Sequence, residues 1–545
     1  MCKVELSLSR NKLPTAKING IRYHSTYDPQ REAIRFLENA LGTPNSHLPL
    51  CLIIIGAGLG YLETAAKAIN SSIKVINIHL CEELLKYRFP ISTNSVVYST
   101  PIQLLRYLKT KIAEFELPGL KVIEWPPANK LFPHKIKEVR ETILTLTKEY
   151  SGNFKTTIAL GKRWIKNSFL NFLFFDSPIK DIHFTNNPII VITASGPTLE
   201  HSLSIIKKYR KYIFLIALPS SLPMYSYYEI QPDLLVLTDP GYYSIYHLSF
   251  YTRGKLNLLM PYSGVTGLWD LNYTLFPILQ TNFFEIELAK KAKLKLLTIP
   301  SQGTVAATAL NYSANLNPSA IVFAGLDLCF YDVFSHARIS GSDYYFYLTS
   351  NKLHPYLTEK VFKLYSEKYI ALKTQENNST INHYMSEPLY LYSKWFSNTA
   401  EQFNLPLFRL NASPVKLRGF INIEEEEFKS IIRSSGANAS KLGKHAFRIE
   451  YYKHQYPNFT ERKQLLKKLI EHWLSELTVI EKTKITPSLL NDTFFNFAYY
   501  FDLKKLSELK QNIIENNYRR VRELVVELND SIHTFLNKYL DILQK

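Results

Sequence analysis

The chain has 545 residues, 46% of them hydrophobic and 21% charged, with a formal net charge of +18 at pH 7. That length exceeds what one hydrophobic core serves, and the balance excludes a disordered chain, so two or three globular domains are expected. The positive charge is spread along the chain without an RNP-type aromatic motif or a zinc finger, so no nucleic-acid partner is expected.

In chain order, the start Met1-Cys2-Lys3-Val4-Glu5-Leu6-Ser7 lacks the apolar core of a signal peptide. Leu50 to Ile55 then reads as a buried strand, followed by the turn Gly56-Ala57-Gly58-Leu59-Gly60 and a helix through Leu62, Ala65, Ala66 and Ile69. This is a Rossmann-type first turn, and a second strand at Val75 to Leu80 follows at the right distance. A dinucleotide or S-adenosylmethionine site wants an acid at the end of that second strand. Here Ile78-His79-Leu80 occupies the place and Glu82 and Glu83 come later, which favours a structural Rossmann-like domain over a cofactor site. The same region holds the most apolar run, Leu48 to Leu62, broken by Pro49 and three glycines. It falls short of the roughly 18 residues a spanning helix needs, so a soluble protein with no membrane span is expected. The four cysteines (Cys2, Cys51, Cys81, Cys329) show no metal-ligand spacing. No metal site or disulfide framework is expected, and a reducing cytoplasm fits.

From about residue 180 strands and helices alternate more clearly. Ile189–Ala194, Tyr212–Leu218, Leu234–Leu237, Leu256–Met260, Leu294–Thr298 and Ala320–Ala324 are apolar runs of the kind a parallel sheet buries on both faces. Each ends in small, polar or acidic residues, and in an open parallel sheet those ends share one crevice. After the first run, Ser195-Gly196-Pro197-Thr198 predicts a turn into a helix. Thr198 is its expected N-cap, Gly196 leaves room for a ligand, and free helical N–H groups form an anion cradle. The alternative is an ordinary strand-to-helix connection. Ser301-Gln302-Gly303-Thr304, opening the helical stretch from Val305, is a second such cradle. Asp239 (in Thr238-Asp239-Pro240-Gly241) and Asp327 (after Gly325-Leu326) end strands at the crevice. Each carboxylate is placed to hold ribose hydroxyls, ligate Mg²⁺ or act as a base; the plainer reading of Asp239 is a self-stabilising Asp-Pro-Gly turn. His336, nine residues past Asp327, is a candidate acid or base. Tyr242, Tyr243, Tyr246, Tyr331, Tyr344 and Tyr345 surround these positions, most of them expected to pack.

From residue 426 the pattern turns helical: an acidic run at Glu424–Glu427, a stripe of Leu465, Leu466, Leu469, Ile470, Trp473, Leu474 and Leu477 behind a cap at Thr460, a restart at Thr486-Pro487, and a last stretch from Leu506 to Ile542. The division expected is 1–150 (Rossmann-like), 180–425 (central, mostly parallel α/β sheet) and 426–545 (helical).

Thr193-Ala194-Ser195-Gly196-Pro197-Thr198-Leu199, Gln231-Pro232-Asp233 with Thr238-Asp239-Pro240, Ser301-Gln302-Gly303-Thr304-Val305, and Gly325-Leu326-Asp327-Leu328 followed by Ser335-His336-Ala337 occur in a characteristic order. That order resembles the motility-associated factor (Maf) glycosyltransferases, whose central domain is shared with 6-hydroxymethylpterin diphosphokinase MptE-like proteins. The resemblance covers about residues 185–345. It implies a central domain resembling bacterial sialyltransferases and transfer of a nonulosonic, sialic-acid-like sugar from a CMP donor to Ser or Thr of a flagellin-like acceptor. It further implies that Ser195, Gly196, Pro197, Thr198, Ser301, Gln302, Gly303, Thr304 and Gly325 hold the donor, while His336, Asp327 and Asp239 serve catalysis. No added cofactor is then required. Two alternatives stay open: an ATP- and Mg²⁺-dependent pterin pyrophosphokinase, with Asp239 and Asp327 on the metal, and a non-catalytic scaffold on the same fold.

Overall fold

A computed structural model describes residues 2–544 apart from 43–47, 88–93, 177, 250, 252–253, 270, 281, 339, 367–368, 377–378, 412, 435–446, 453–454 and 483–489. The chain divides into two compact units, one of residues 1–161 with 470–545 and the other of residues 162–469. The helical C-terminal stretch is therefore not a third body. Its last helices complete the unit that the N-terminal residues begin, because apolar stripes such as Val521, Leu524, Val525, Leu528 and Ile532 need a partner surface to bury against.

In the first unit a four-stranded parallel sheet runs Ser95–Val97, Lys74–His79, Cys51–Ile55, Leu120–Glu124. Cys51–Ile55 is wholly buried, as its continuous apolar run requires. Gly56, Gly58 and Gly60 all take positive φ, which turns the chain sharply into the Tyr61–Ile69 helix. The unit also holds the helices Asp492–Phe501, Leu503–Ile514 and Tyr518–Gln544. The continuous pattern expected from Leu506 to Ile542 is two helices, separated where Asn516 adopts φ 55°. Two helices, Pro133–Phe174 and Phe459–Lys482, straddle the division between units. The cap of the latter is Asn458, not Thr460: Asn458 Oδ1 accepts from Glu461 N at 3.0 Å while Glu461 Oε2 accepts from Asn458 N at 2.8 Å. The restart at Thr486-Pro487 lies outside the described residues.

The second unit is built on a nine-stranded sheet, parallel throughout, in the order Leu297–Thr298, Tyr273–Leu279, Leu256–Pro261, Leu234–Val236, Phe214–Ala217, Ile189–Thr193, Ala320–Ala324, Leu407–Leu410, Phe420–Ile423. The chain enters at Ile189–Thr193, winds outward to Leu297–Thr298, then crosses back to lay Ala320–Ala324 on the other side of its starting strand. That reversal makes the cleft between the ends of Ile189–Thr193 and Ala320–Ala324 the topological switch point, where open α/β sheets take ligands. Strands also occur outside the expected set: Tyr273–Leu279, Leu407–Leu410, Phe420–Ile423, a hairpin of Tyr369–Glu376 with Ser379–Ser386, and Phe447–Tyr451, which pairs antiparallel with Ile179–Phe184. The last lies in the region read as purely helical.

Candidate functional site at the sheet's switch point

The turn after Ile189–Thr193 and the turn after Ala320–Ala324 are locked together. Gly196 N donates to Gly325 O at 2.9 Å, and Gly325 itself takes φ +69°. Asp327, 3% exposed, reaches back across the switch point: its Oδ2 accepts from Thr198 N at 2.8 Å and its Oδ1 from Thr198 Oγ1 at 2.5 Å. Burial pushes the Asp327 carboxyl above the usual carboxylate range, and the two Thr198 donors pull against that shift. The first turn of the Leu199–Tyr209 helix is satisfied locally, Leu199 N donating to Gly196 O and Glu200 N to Pro197 O.

This revises the reading of the cradle. Thr198 holds the expected N-cap position, but its side chain binds Asp327 instead of a helix N–H. The anion at the helix entrance is the chain's own carboxylate. Gly196 is glycine for the same reason, since a Cβ there would stand 2.5 Å from Asp327 Oδ2 and 2.6 Å from Gly325 O. The space it frees is filled by Asp327, not left for a ligand.

Around this knot the crevice wall is polar. Ser220, in the short turn Pro219–Ser221, donates to Ser195 Oγ at 2.7 Å. Ala337 N donates to Ser195 O at 2.8 Å, which fixes the Phe334–Arg338 loop over the turn and brings His336 to the same edge. His336 is half-buried, with Nδ1 at 3.0 Å from Ser335 Oγ. Arg338 clamps the loop through Nε and Nη2 to Glu200 Oε2 at 3.1 and 2.7 Å. On its other side Phe334 lies 4.2 Å under Lys360 Nζ, and Lys360 forms a buried ion pair with Asp343. The helices Tyr243–Ser249 and Gly341–Thr349 pack on each other and on Pro219–Ser221. There a Cβ on Gly341 would stand 2.1 Å from His247 Nδ1. That Nδ1 is buried without a hydrogen-bond partner, and burial lowers the imidazole's pKa against the opposing charge of Asp239.

The remaining expected residues stand apart from the knot. Asp239 is exposed two strands away, and its Oδ1 accepts from Gly241 N at 2.7 Å, the self-stabilising Asp-Pro-Gly turn. Ser301–Thr304 follows the edge strand Leu297–Thr298, five places along the sheet from Ile189–Thr193. The helix it opens, Val305–Ala314, does pack on Ile189–Thr193 and Ala320–Ala324. Among the described residues, however, none of Ser301–Thr304 bonds to Ser195–Thr198 or Asp327. Thr304 begins the helix without a side-chain cap, and Gln302 lines a separate cavity of about 340 Å³ with Thr298, Pro300, Asn311 and Phe403. Side chains of Tyr344 and Tyr345 lie outside the described residues.

Glu200, Arg338, His247 and the Asp343–Lys360 pair escaped the sequence reading. Ser220 is legible there as one of the strand ends, in Pro219-Ser220-Ser221, but its pairing with Ser195 is a property of the sheet order. Arg409, 2% exposed in the neighbouring strand, was hidden by its apolar flanks. Its Nε donates to Asn422 Oδ1 at 3.0 Å, and burial lowers its pKa while the Asp327 charge opposes that.

The glycine turn of the first unit is closed as well. His24 Nε2 accepts from Leu59 N at 3.0 Å, and Tyr23 Oη donates to Gly56 O at 2.9 Å. A Cβ on Gly58 would sit 2.2 Å from His24 Nε2, and one on Gly56 2.4 Å from Ala128 Cβ. The face a dinucleotide pyrophosphate would use carries an imidazole, kept neutral by burial that drops its pKa to about 3.

Residues 163–333 match the family described as 6-hydroxymethylpterin diphosphokinase MptE-like. The fold is similar to that of the MAf glycosyltransferase from Magnetospirillum magneticum AMB-1, with a TM-score of 0.59 over 99% of this chain and 92% of that one, at 10% identity. Two proteins of Treponema pallidum (strain Nichols), both described as uncharacterized, are also similar. One is 24% identical over 343 residues, 61% of this chain and 70% of the relative; the other is 23% identical over 137 residues, 24% and 64%. The chain thus carries an MptE-like domain at 163–333, set in a fold shared with a Maf glycosyltransferase. Among the described residues no helix is long and apolar enough to cross a membrane.

Proposed function

We propose that the chain is a glycosyltransferase whose donor, a CMP-linked nonulosonic acid, lies in the switch-point crevice and whose acceptor is a Ser or Thr hydroxyl of a flagellin-like protein. The observation that carries this reading is the knot of Ser195, Gly196, Thr198, Gly325 and Asp327 at the switch point of a Maf-like fold. Asp327 acts here as a positioning residue, because both its oxygens are engaged by Thr198. The groups left to meet the donor phosphate are the Ser195–Ser220 hydroxyl pair and the His336 loop. In the transfer the acceptor oxygen forms a bond to the anomeric carbon, the bond from that carbon to the CMP phosphate oxygen breaks, and the acceptor proton passes to a base. His336 is the residue assigned that proton. Rate then comes from holding donor and hydroxyl together and from dipoles facing the departing phosphate.

Incubating the full chain with a CMP-nonulosonate and a flagellin-like acceptor should release CMP together with a mass increase on the acceptor. Failure to bind CMP in calorimetry would turn the assignment to the scaffold reading. The name of the matching family favours a second reading, pyrophosphoryl transfer from ATP to a pterin alcohol. The carboxylates do not suit its Mg²⁺ ions, because Asp327 is bonded twice to Thr198 and the exposed Asp239 to Gly241. Magnesium-dependent ATP consumption with a hydroxymethylpterin would nonetheless decide for it.

A further inference from the structure

The first unit brings together cysteines that stand 79 positions apart in sequence. Cys81 follows the Lys74–His79 strand at its carboxyl end, where a nucleotide-binding unit would hold its ribose-binding acid. Glu83 opens the short turn Glu83–Tyr87. Cys2 precedes the Val4–Leu8 strand and packs on the same core as Cys81. One ligand atom from each of Cys2, Cys81 and Glu83 lies within 4.8 Å of the other two, and Cys81 Sγ donates to Glu83 Oε2 at 3.3 Å.

We propose that Cys2, Cys81 and Glu83 form a site for a thiophilic divalent cation of the zinc class, with solvent in a fourth position. The donor set is two soft sulfurs and a carboxylate, which suits a tetrahedral zinc ion. Ligand atoms about such an ion stand about 3.5–3.8 Å apart, so closure needs shifts of about an ångström. On binding, each thiol releases its proton and two sulfur–metal bonds and one oxygen–metal bond form. Cys51 and Cys329 are each buried in the core without a cysteine beside them and supply built-in controls.

The test uses the full chain, prepared under reductant, loaded with Zn²⁺ and dialysed. About one zinc per chain should remain, and Co²⁺ in its place should give a thiolate-to-cobalt charge-transfer band. Cys2→Ser and Glu83→Gln, near the chain start and on a partly exposed turn, should retain the wild-type circular dichroism and lose the metal. Cys51→Ala and Cys329→Ala should keep it. Wild-type protein without retained zinc, or equal retention by Cys2→Ser and Glu83→Gln, would overturn the site. So would a Cys2–Cys81 disulfide that forms in air with saturating zinc present.

Discussion

Replacing Asp327 by alanine separates two roles that the sequence alone leaves merged. The side chain accepts hydrogen bonds from Thr198 N and Thr198 Oγ1, and both residues are buried, at 3% and 7% exposure. Alanine strands both donors where water does not reach them. At about 1–3 kcal/mol for each unsatisfied buried group, the loss is about 2–6 kcal/mol. Asparagine keeps the shape: its carbonyl accepts from Thr198 N and its amide donates to Thr198 Oγ1, so only charge assistance is lost, about 1 kcal/mol. Urea unfolding of wild type, Asp327→Asn and Asp327→Ala, read by circular dichroism, should therefore give a small and then a large drop in midpoint. Transfer activity should follow the same order, Asp327→Asn keeping most of it. Wild-type stability in Asp327→Ala with transfer abolished would refute the argument, because it would show a carboxylate free to serve the substrate instead of tying the crevice together.

His336→Ala should lose transfer while shifting the urea stability by no more than about 1 kcal/mol, since the imidazole is only half-buried; wild-type turnover in that variant would remove it from the mechanism. Glu285 is wholly buried and takes Ser263 N at 2.6 Å and Gln280 N at 3.1 Å, with burial raising its pKa to about 7. The native state then holds a proton that the unfolded chain has released. Stability should fall as pH rises from about 4.5 through 7, by about 3 kcal/mol in all, and Glu285→Gln should flatten that slope in pH-dependent urea titrations. Gly58→Ala should cost about 2–5 kcal/mol, because φ +64° is unfavourable for alanine and its Cβ would meet His24 Nε2 at 2.2 Å. Gly20→Ala, at φ +79° with nothing within 4 Å, should cost only about 1–2 kcal/mol, so equal urea midpoints for the pair would refute the steric account.

Local patterns carried the fold class. Ala320–Ala324 and the heart of every apolar run in the central sheet but Leu294–Thr298 are where their hydrophobicity put them, because a strand buried on both faces needs no information from elsewhere; Leu294–Thr298 keeps only the exposed two-residue edge strand Leu297–Thr298. The strands that escaped break that pattern: Tyr273–Leu279 contains Pro277, and Leu407–Leu410 carries the buried Arg409. Only neighbouring strands license such residues. The site was legible as a set of strand ends but not as an arrangement. Thr198 and Asp327 are 129 residues apart, and their pairing follows from Ala320–Ala324 crossing back beside Ile189–Thr193, which no local window contains. Likewise nothing in Gly56–Gly60 announces that His24, more than thirty positions earlier, occupies the turn.

That imidazole in the glycine turn bears on how such motifs are counted. Glycines spaced to admit a pyrophosphate are equally spaced to admit a neutral ring from the chain itself, and Leu59 N donates to His24 Nε2 as it would to a phosphate oxygen. A genome census of nucleotide-dependent domains built on such spacing would enrol this one. For a nucleotide to enter, the ring must first be expelled, so occupancy by ligand and integrity of the surrounding core are mutually exclusive here.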